Sequence, residues 1–322
     1  MSYFLFKRVL TLLATLAATS LIVFAVLEVL PGNAAEVLMG ADADPAAVAA
    51  KVVELGLDRP ALARYMDWMG GLLRGDMGNS YAYGSPVAEL IAERLHLTVP
   101  LAVLAMCLTA LLALTVGVYA ASQHNRLGDT GLMALAQVGI AIPNFWFAIL
   151  LIMLFSVKLQ WLSAGGFDGW YFDDGVWAGL WDGLKSLLLP AVALALVQAA
   201  ILARFTRSAV LEVLREDFVR TARAKGLSRR ATLWGHVLRN AMIPVITVMG
   251  LQFAELLAGT IVVESVFYLP GLGRLIFQSI ANRDLIVVRN CVMLLAAMVV
   301  AVNFFVDVLY AVIDPRVKAS EI

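Results

Sequence analysis

A basic block set between two strongly apolar runs constrains this chain more than any other feature of it. From Arg204 to Pro244 the sequence carries Arg204, Arg207, Arg215, Arg220, Arg223, Lys225, Arg229, Arg230 and Arg239, with few acids between them. One such charge at the centre of a bilayer costs about 2.5–3.5 kcal/mol even on the lenient insertion scale, so the block lies outside hydrocarbon. Basic loops between closely spaced spans stay on the cytoplasmic side, which orients the runs around it. Glu212 to Lys225 contains only helix formers, with Glu212, Glu216 and Asp217 early and Arg223 and Lys225 late, as the helix dipole favours. Gly226 supplies a left-handed residue to end that helix, and Ser228 a cap for the next. Phe218, Ala222 and Lys225, with Val219 and Leu227, read as a small apolar stripe beside a basic one. Two readings are open on composition alone: a basic helix lying on anionic lipid, or a helix docked into another protein.

The chain around the block is a polytopic membrane protein. Of its 322 residues 61% are hydrophobic, against about 45–50% in soluble domains. Lys7 and Arg8 precede an apolar run from Val9 to Leu30, read as a first span with its amino end inside. Residues 31–97 are expected to form a small helical excursion outside the membrane, with amphipathic patches at Ala46–Leu55 and Ala61–Leu73. Further spans are expected at Thr98–Ala121, Leu132–Val157, Leu187–Ala203, Met242–Val263 and Cys291–Ile313, six in all, with both termini cytoplasmic. The outer loop 158–185 carries Trp161, Trp170, Trp177 and Trp181, suited to an interfacial aromatic belt.

Chemistry of its own is not legible in the chain. No phosphate-cradling G-x-x-x-x-G-K-[ST] run, no H-E-x-x-H and no G-x-S-x-G triad occurs. Cys107 and Cys291 lie inside apolar runs, and His96, His124 and His236 are scattered, so neither a disulfide framework nor a metal site is expected. No cofactor, no nucleic-acid partner and no enzymatic activity are expected; energy for any work must come from another subunit. The polar groups at bilayer depth are the remaining candidates. Pro143 and Asn144 interrupt the third span, and Gln252 and Glu255 sit in the fifth. They line a wet passage, or they tie helices together by hydrogen bonds worth about 0.6 kcal/mol each. For Asn303 and Asp307 in the sixth span the helix-tying reading is preferred, and for Glu264 and Arg274 a structural turn.

Several motifs then point one way. Phe218 to Ser228, FVRTARAKGLS, resembles the cytoplasmic loop of permease subunits of bacterial ABC importers, in the dipeptide/oligopeptide/nickel branch. The general loop signature begins Glu-Ala-Ala and carries a Gly a few residues on; here Arg220-Thr221-Ala222 and Gly226 stand, without the opening Glu, as is usual in that branch. LLRGDMGNS at 72–80, SPVAELIAERL at 85–95, ESVFYLPGLGR at 264–274, VDVLY at 306–310 and DPR at 314–316 are similar to the same family, in the same order.

The resemblance implies an all-α type I importer permease fold in the bacterial inner membrane. It implies a first helix and periplasmic segment over 1–97, a five-helix core over 98–313 with its coupling loop at 204–240, and a cytoplasmic tail from 314 to 322. Glu216, Asp217, Phe218, Val219, Arg220, Thr221, Ala222, Arg223, Ala224, Lys225, Gly226 and Leu227 would be the helix seated in an ATPase cleft. The implied partners are two ATPase subunits that bind ATP and Mg, a second and different permease chain, surrounding lipid, and a periplasmic or lipid-anchored binding protein. The implied cargo is a peptide, with nickel complexes and glutathione as alternatives in the family; a gradient-driven carrier is the rival class, and the inverted repeats it requires are not seen.

Overall fold

In the computed structural model, residues 2–29, 34–40, 43–167, 169–170 and 176–313 are described. The DPR motif and the rest of the tail, Pro31, Asp42 and part of the tryptophan-rich loop therefore lie outside the described residues. Everything described is helix or connection, apart from one antiparallel bridge between Asn79 and Pro86. Thirteen helices follow in order: α1 (Ser2–Val29), α2 (Ala34–Met39), α3 (Pro45–Glu54), α4 (Ala61–Leu73), α5 (Val87–Ser122), α6 (Leu127–Ala141), α7 (Asn144–Leu151), α8 (Val176–Val213), α9 (Asp217–Ala224), α10 (Arg229–Thr232), α11 (Leu238–Val266), α12 (Leu272–Ala281) and α13 (Leu285–Ile313). Wider π turns at Ile152–Lys158 and Leu233–Val237 extend α7 and lead into α11.

Among the described residues, 5 helical stretches are long and apolar enough to cross a membrane, and the α6–α7 pair makes a sixth when counted as one crossing. Pro143 and Asn144 were expected to interrupt the third span, and at that point the two halves turn by 102°. A proline has no N–H to donate and forces the preceding residue out of the helical region. Ile142 accordingly takes φ −86 and ψ 124, and Asn144 starts a new helix. Pro100, Pro190 and Pro244 are carried inside helices. The fourth crossing is consequently longer than expected, beginning at Val176 rather than near Pro190 and running to Val213.

The chain divides into two compact units. One contains residues 100–269 and 301–322 with the first five, and the other residues 6–99 and 270–300. In the first, α8 packs against α6, α7 and α11, and α7 also meets α11. A buried cluster there includes Ala113 and Val118 of α5, Leu202, Ala203 and Val210 of α8, and Val237, Ala241 and Val245 leading into and along α11. Contact between α5 and α8 is close because Gly117 has no side chain: a Cβ there would meet Ala203 O and Thr206 Cβ at 2.7 Å.

In the second unit, α3 and α4 match the amphipathic patches. Asp44 caps α3 by accepting from the Ala46 amide at 3.1 Å, with Pro45 at the first helical position. The connection after α4 is stitched to the start of α13. Buried Asp284 accepts from Ser80 Oγ at 2.5 Å and the Ala82 amide at 2.9 Å. Asn290 accepts from Trp68 Nε1 at 2.9 Å and donates to Met77 O at 2.8 Å. Thr98 Oγ1 accepts from the Leu272 amide at the start of α12, at 2.9 Å.

Gly117→Val should separate α5 from α8 and cost about 1–3 kcal/mol, the range for overpacking a close contact. A lowered melting temperature of the purified chain in detergent is the measurement; an unchanged melt would mean that this approach is loose.

Candidate functional site

The basic block folds as a hinge of short helices. α8 continues through Arg204 and Arg207 to Val213, so both arginines belong to a long helix rather than to a loop. The helix is closed by Leu214 N donating to Val210 O, Arg215 N to Glu212 O and Glu216 N to Val213 O. Glu212 was expected to open the next helix and instead lies in the last turn of α8. Glu216 takes an extended conformation, and α9 starts at Asp217, with Asp217 in its first turn and Arg223 in its last. Gly226 ends it with φ +91, and Leu227 N reaches back to Ala222 O. Ser228 then caps α10 by accepting from the Ala231 amide at 3.2 Å.

Burial divides the twelve residues from Glu216 to Leu227 cleanly. Val219 and Ala222, one helical turn apart, are buried, and Val219 belongs to the same cluster as Leu202, Val210, Val237 and Ala241. Glu216, Asp217, Phe218, Arg220, Thr221, Arg223, Ala224, Lys225, Gly226 and Leu227 are exposed. The apolar stripe read from the sequence is therefore two stripes. Val219 anchors the helix to its own bundle and Ala222 is buried one turn on, while Phe218 (42% exposed) and Leu227 join Arg220, Arg223 and Lys225 among the exposed residues. The ion pair between Arg220 and Asp217, at 3.4 Å and largely exposed, adds little.

Next to this hinge is a cluster that the sequence reading missed. Asp129, in the first turn of α6, is buried and accepts from Arg207 Nε at 2.5 Å and Nη2 at 2.7 Å. His124 Nδ1 lies 3.2 Å from Arg207 Nη2 and 3.6 Å from Asp129 Oδ2. The Asn125 amide donates to the same carboxylate at 3.0 Å. One turn earlier on α8, Arg204 reaches Gln137 Oε1 of α6 at 3.1 Å. A two-point clasp thus ties α6 to the end of α8 that carries α9. The only sequence signal for it was an isolated Asp beginning an apolar helix.

The polar candidates inside the spans are brought together in part. Gln252, buried on α11, donates to Gln198 O on α8 at 3.2 Å, and Gln198 Nε2 donates to Glu255 Oε2 at 3.4 Å. Gln198 was not among the sequence candidates. Glu255 is exposed, whereas the side-chain oxygens of Gln198 and Gln252 are buried with no hydrogen-bond partner. Pro143 is exposed at the α6–α7 turn. Asn144 Nδ2 would lie 3.6 Å from a Cβ on Gly259, one turn beyond Glu255. Glu264, expected at a turn on the outer face, is instead fully buried in the last turns of α11. Among the described residues no group of His, Cys, Asp and Glu could hold a metal ion.

Comparison with known proteins places these features in a context. Residues 113–319 match the family model described as "Binding-protein-dependent transport system inner membrane component", and residues 1–102 match the N-terminal model of the same system. A putative peptide transport system permease of Brucella abortus is 41% identical over 99% of both chains. A di/tripeptide transport system permease of Pseudomonas aeruginosa is 39% identical over 98% of each. A glutathione transport system permease of Salmonella choleraesuis is 40% identical, again over 98% of each. A crystal structure of an amino acid ABC transporter with histidines superposes with a TM-score of 0.50 at 17% identity, covering 71% of this chain and 94% of that one. At that identity the likeness concerns the fold.

Asp129→Asn should destabilise the chain toward the lower end of the roughly 3–5 kcal/mol seen when one partner of a buried pair is removed, because the Arg207 side chain keeps 22% of its surface exposed. Replacing both residues by apolar ones, Asp129→Leu with Arg207→Met, should recover most of the loss in a thermal melt. Equal melting of Asp129→Asn and the parent would show that the clasp carries no weight.

Proposed function

The chain belongs to the family of binding-protein-dependent transport system inner membrane components, and from that premise we propose that it lines half of a peptide passage worked by separate ATPases. It is a multi-pass inner-membrane permease of an ABC importer. The observation that carries the coupling role is α9: Val219 binds it to its own bundle with Ala222 buried beside it, and its other residues are exposed. A helix held in this way can receive force without peeling off. Its free face offers Phe218 and Leu227 as apolar contacts and Arg220, Arg223 and Lys225 as charges, which suits a groove in a soluble subunit with acids at its rim.

The working complex has two ATPase subunits beneath the loop, a second and different permease chain beside this one, and a periplasmic or lipid-anchored binding protein on the other side. This chain carries no catalysis of its own. Both termini are cytoplasmic in this reading: Lys7 and Arg8 precede the first crossing, the basic hinge lies between the fourth and fifth, and six crossings return the tail to the same side. Closure of the ATPases would drive α9 and tilt α8 and α11 between two arrangements, inward-open and outward-open. Gln198, Gln252 and Glu255, on those same two helices, are the groups that meet the passage, with Pro143 and Asn144 shaping the turn beside it. Cargo follows the relatives: peptides first, and glutathione, itself a peptide, as the second reading, favoured by the relative with that substrate in its name.

Arg223→Glu combined with Lys225→Glu should cut uptake of labelled dipeptide by about tenfold or more, the loss typical of removing the centre of a docking surface. The ATPase subunits should no longer co-purify, while the chain remains in the membrane. Gly226→Val should act in the same direction, because a β-branched residue resists φ +91. Normal uptake with ATPases retained would remove the coupling assignment. Separately, Glu255→Ala should reduce uptake and leave ATPase co-purification intact; a variant that transports normally would take Glu255 out of the passage.

A further inference from the structure

A cavity of about 260 Å³ lies within the second unit, where the last turns of α1 meet the first turn of α13. Phe24, Leu27 and Glu28 come from α1, and Leu285, Ile286 and Arg289 from α13, with Trp68 and Tyr81 closing the sides. Its charges are not all satisfied internally. Arg64 pairs with Glu28, and Arg59 pairs with Asp67 at 2.6 Å. Arg289 is left over. Its Nε is buried without a hydrogen-bond partner, and among the described residues no carboxylate lies within ion-pair distance of it. Its guanidinium carbon sits 5.3 Å from the Trp68 ring centroid, which orients the group but supplies no acceptor. Asp284, just ahead of α13, is already committed to Ser80 and Ala82.

Arg289 as a whole is half-buried, and its Nε is the atom shut off from water without an acceptor; a bound oxyanion would answer that N–H and extend to the rest of the guanidinium. A second donor is at hand. The Tyr81 hydroxyl reaches Leu55 O only at a long 3.4 Å, and burial raises the phenol above its ordinary pKa, so it stays protonated. The depth of the site identifies the oxyanion. The apolar run of α1 ends at Val29 and that of α13 begins at Leu285, so a cavity walled by both ends lies where hydrocarbon gives way to headgroups. Leu21, Ile22 and Val26, just below on α1, are exposed and would lie along acyl chain. The arginines and acids of the lining, Arg59, Arg64 and Arg289 against Glu28, Asp67 and Asp76, cancel formally, which favours a headgroup carrying its own ammonium over a multiply charged anion.

We propose that this cavity seats the phosphodiester of a zwitterionic phospholipid, with the oxyanion on Arg289 and the Tyr81 hydroxyl and the acyl chains against α1. The site lies within the second unit, and the proposal does not depend on the coupling reading. Phosphatidylethanolamine titrated into the delipidated full chain in detergent, with bound lipid counted by native mass spectrometry, tests it. Arg289→Gln should weaken retention about tenfold and Tyr81→Phe about threefold, with Arg289→Lys intermediate, each melting like the parent. Should Arg289→Gln fail to fold, Tyr81→Phe decides alone. Inorganic phosphate at millimolar concentration should neither bind detectably nor displace the lipid. Retention unchanged in Tyr81→Phe, or in a folded Arg289→Gln, overturns the site; displacement by inorganic phosphate overturns the lipid assignment in favour of a free anion.

Discussion

Hydrocarbon accepts neither an unpaired backbone group nor an uncompensated charge, and the described structure is organised by that refusal. Among the described residues five crossings are single helices whose main chain satisfies itself, and the sixth, α6–α7, breaks only at Ile142–Pro143. Side-chain charge is then confined to helix ends or must be answered locally. α8 shows both solutions on one helix. Its apolar length ends at Arg204 and Arg207, and these are answered by Gln137 and the buried Asp129 of α6. The same constraint accounts for the start of α13, where buried Asp284 is capped by Ser80 and Ala82 and Asn290 is bound to Trp68 and Met77.

The hinge after α8 is held by its neighbours rather than by its own length. α9 is only Asp217–Ala224, too short to hold itself together in water, where isolated helices below about 12–15 residues are marginal. It is helical because Val219 is packed into a cluster built from α5, α8 and the approach to α11, with Ala222 buried one turn on. Close-packed interiors transmit displacement rather than absorb it. A load on α9 is therefore carried into α8 and α11 together, and α8 hands part of it to α6 through the arginine clasp. Those two helices also bear Gln198, Gln252 and Glu255.

Composition and periodicity made the crossings legible, as well as α3, α4 and the caps at Gly226 and Ser228, because each rests on residues close together in sequence. What escaped rests on long-range pairing. Asp129 reads as an ordinary first-turn acid until Arg207 arrives from 78 residues away. Gln198 reads as a tolerated polar residue in an apolar helix until α11 brings Gln252 and Glu255 beside it. The break at 214–216 has no glycine or proline to announce it; it follows from the need to turn Val219 back onto the bundle. Pro143 did announce an interruption, but a proline removes one hydrogen bond without fixing an angle, and the 102° comes from the packing of α7 on α8 and α11.

The polar group between α8 and α11 bears on the proposed passage. If Gln198, Gln252 and Glu255 served only to tie two helices, their acceptors would be expected to be used up within the pair. The Gln198 and Gln252 side-chain oxygens instead face no donor, and each unanswered buried acceptor costs about 1–3 kcal/mol. Two such costs side by side, in helices otherwise packed through alanine, valine and leucine, exceed what the bonds between them return. The arrangement is stable if water or a polar solute reaches the cluster, and exposed Glu255 is the member through which it would. A buried tie and a wet wall thus make different demands on the same three side chains, and the proposed passage gives the unanswered oxygens the partners that a tie would not.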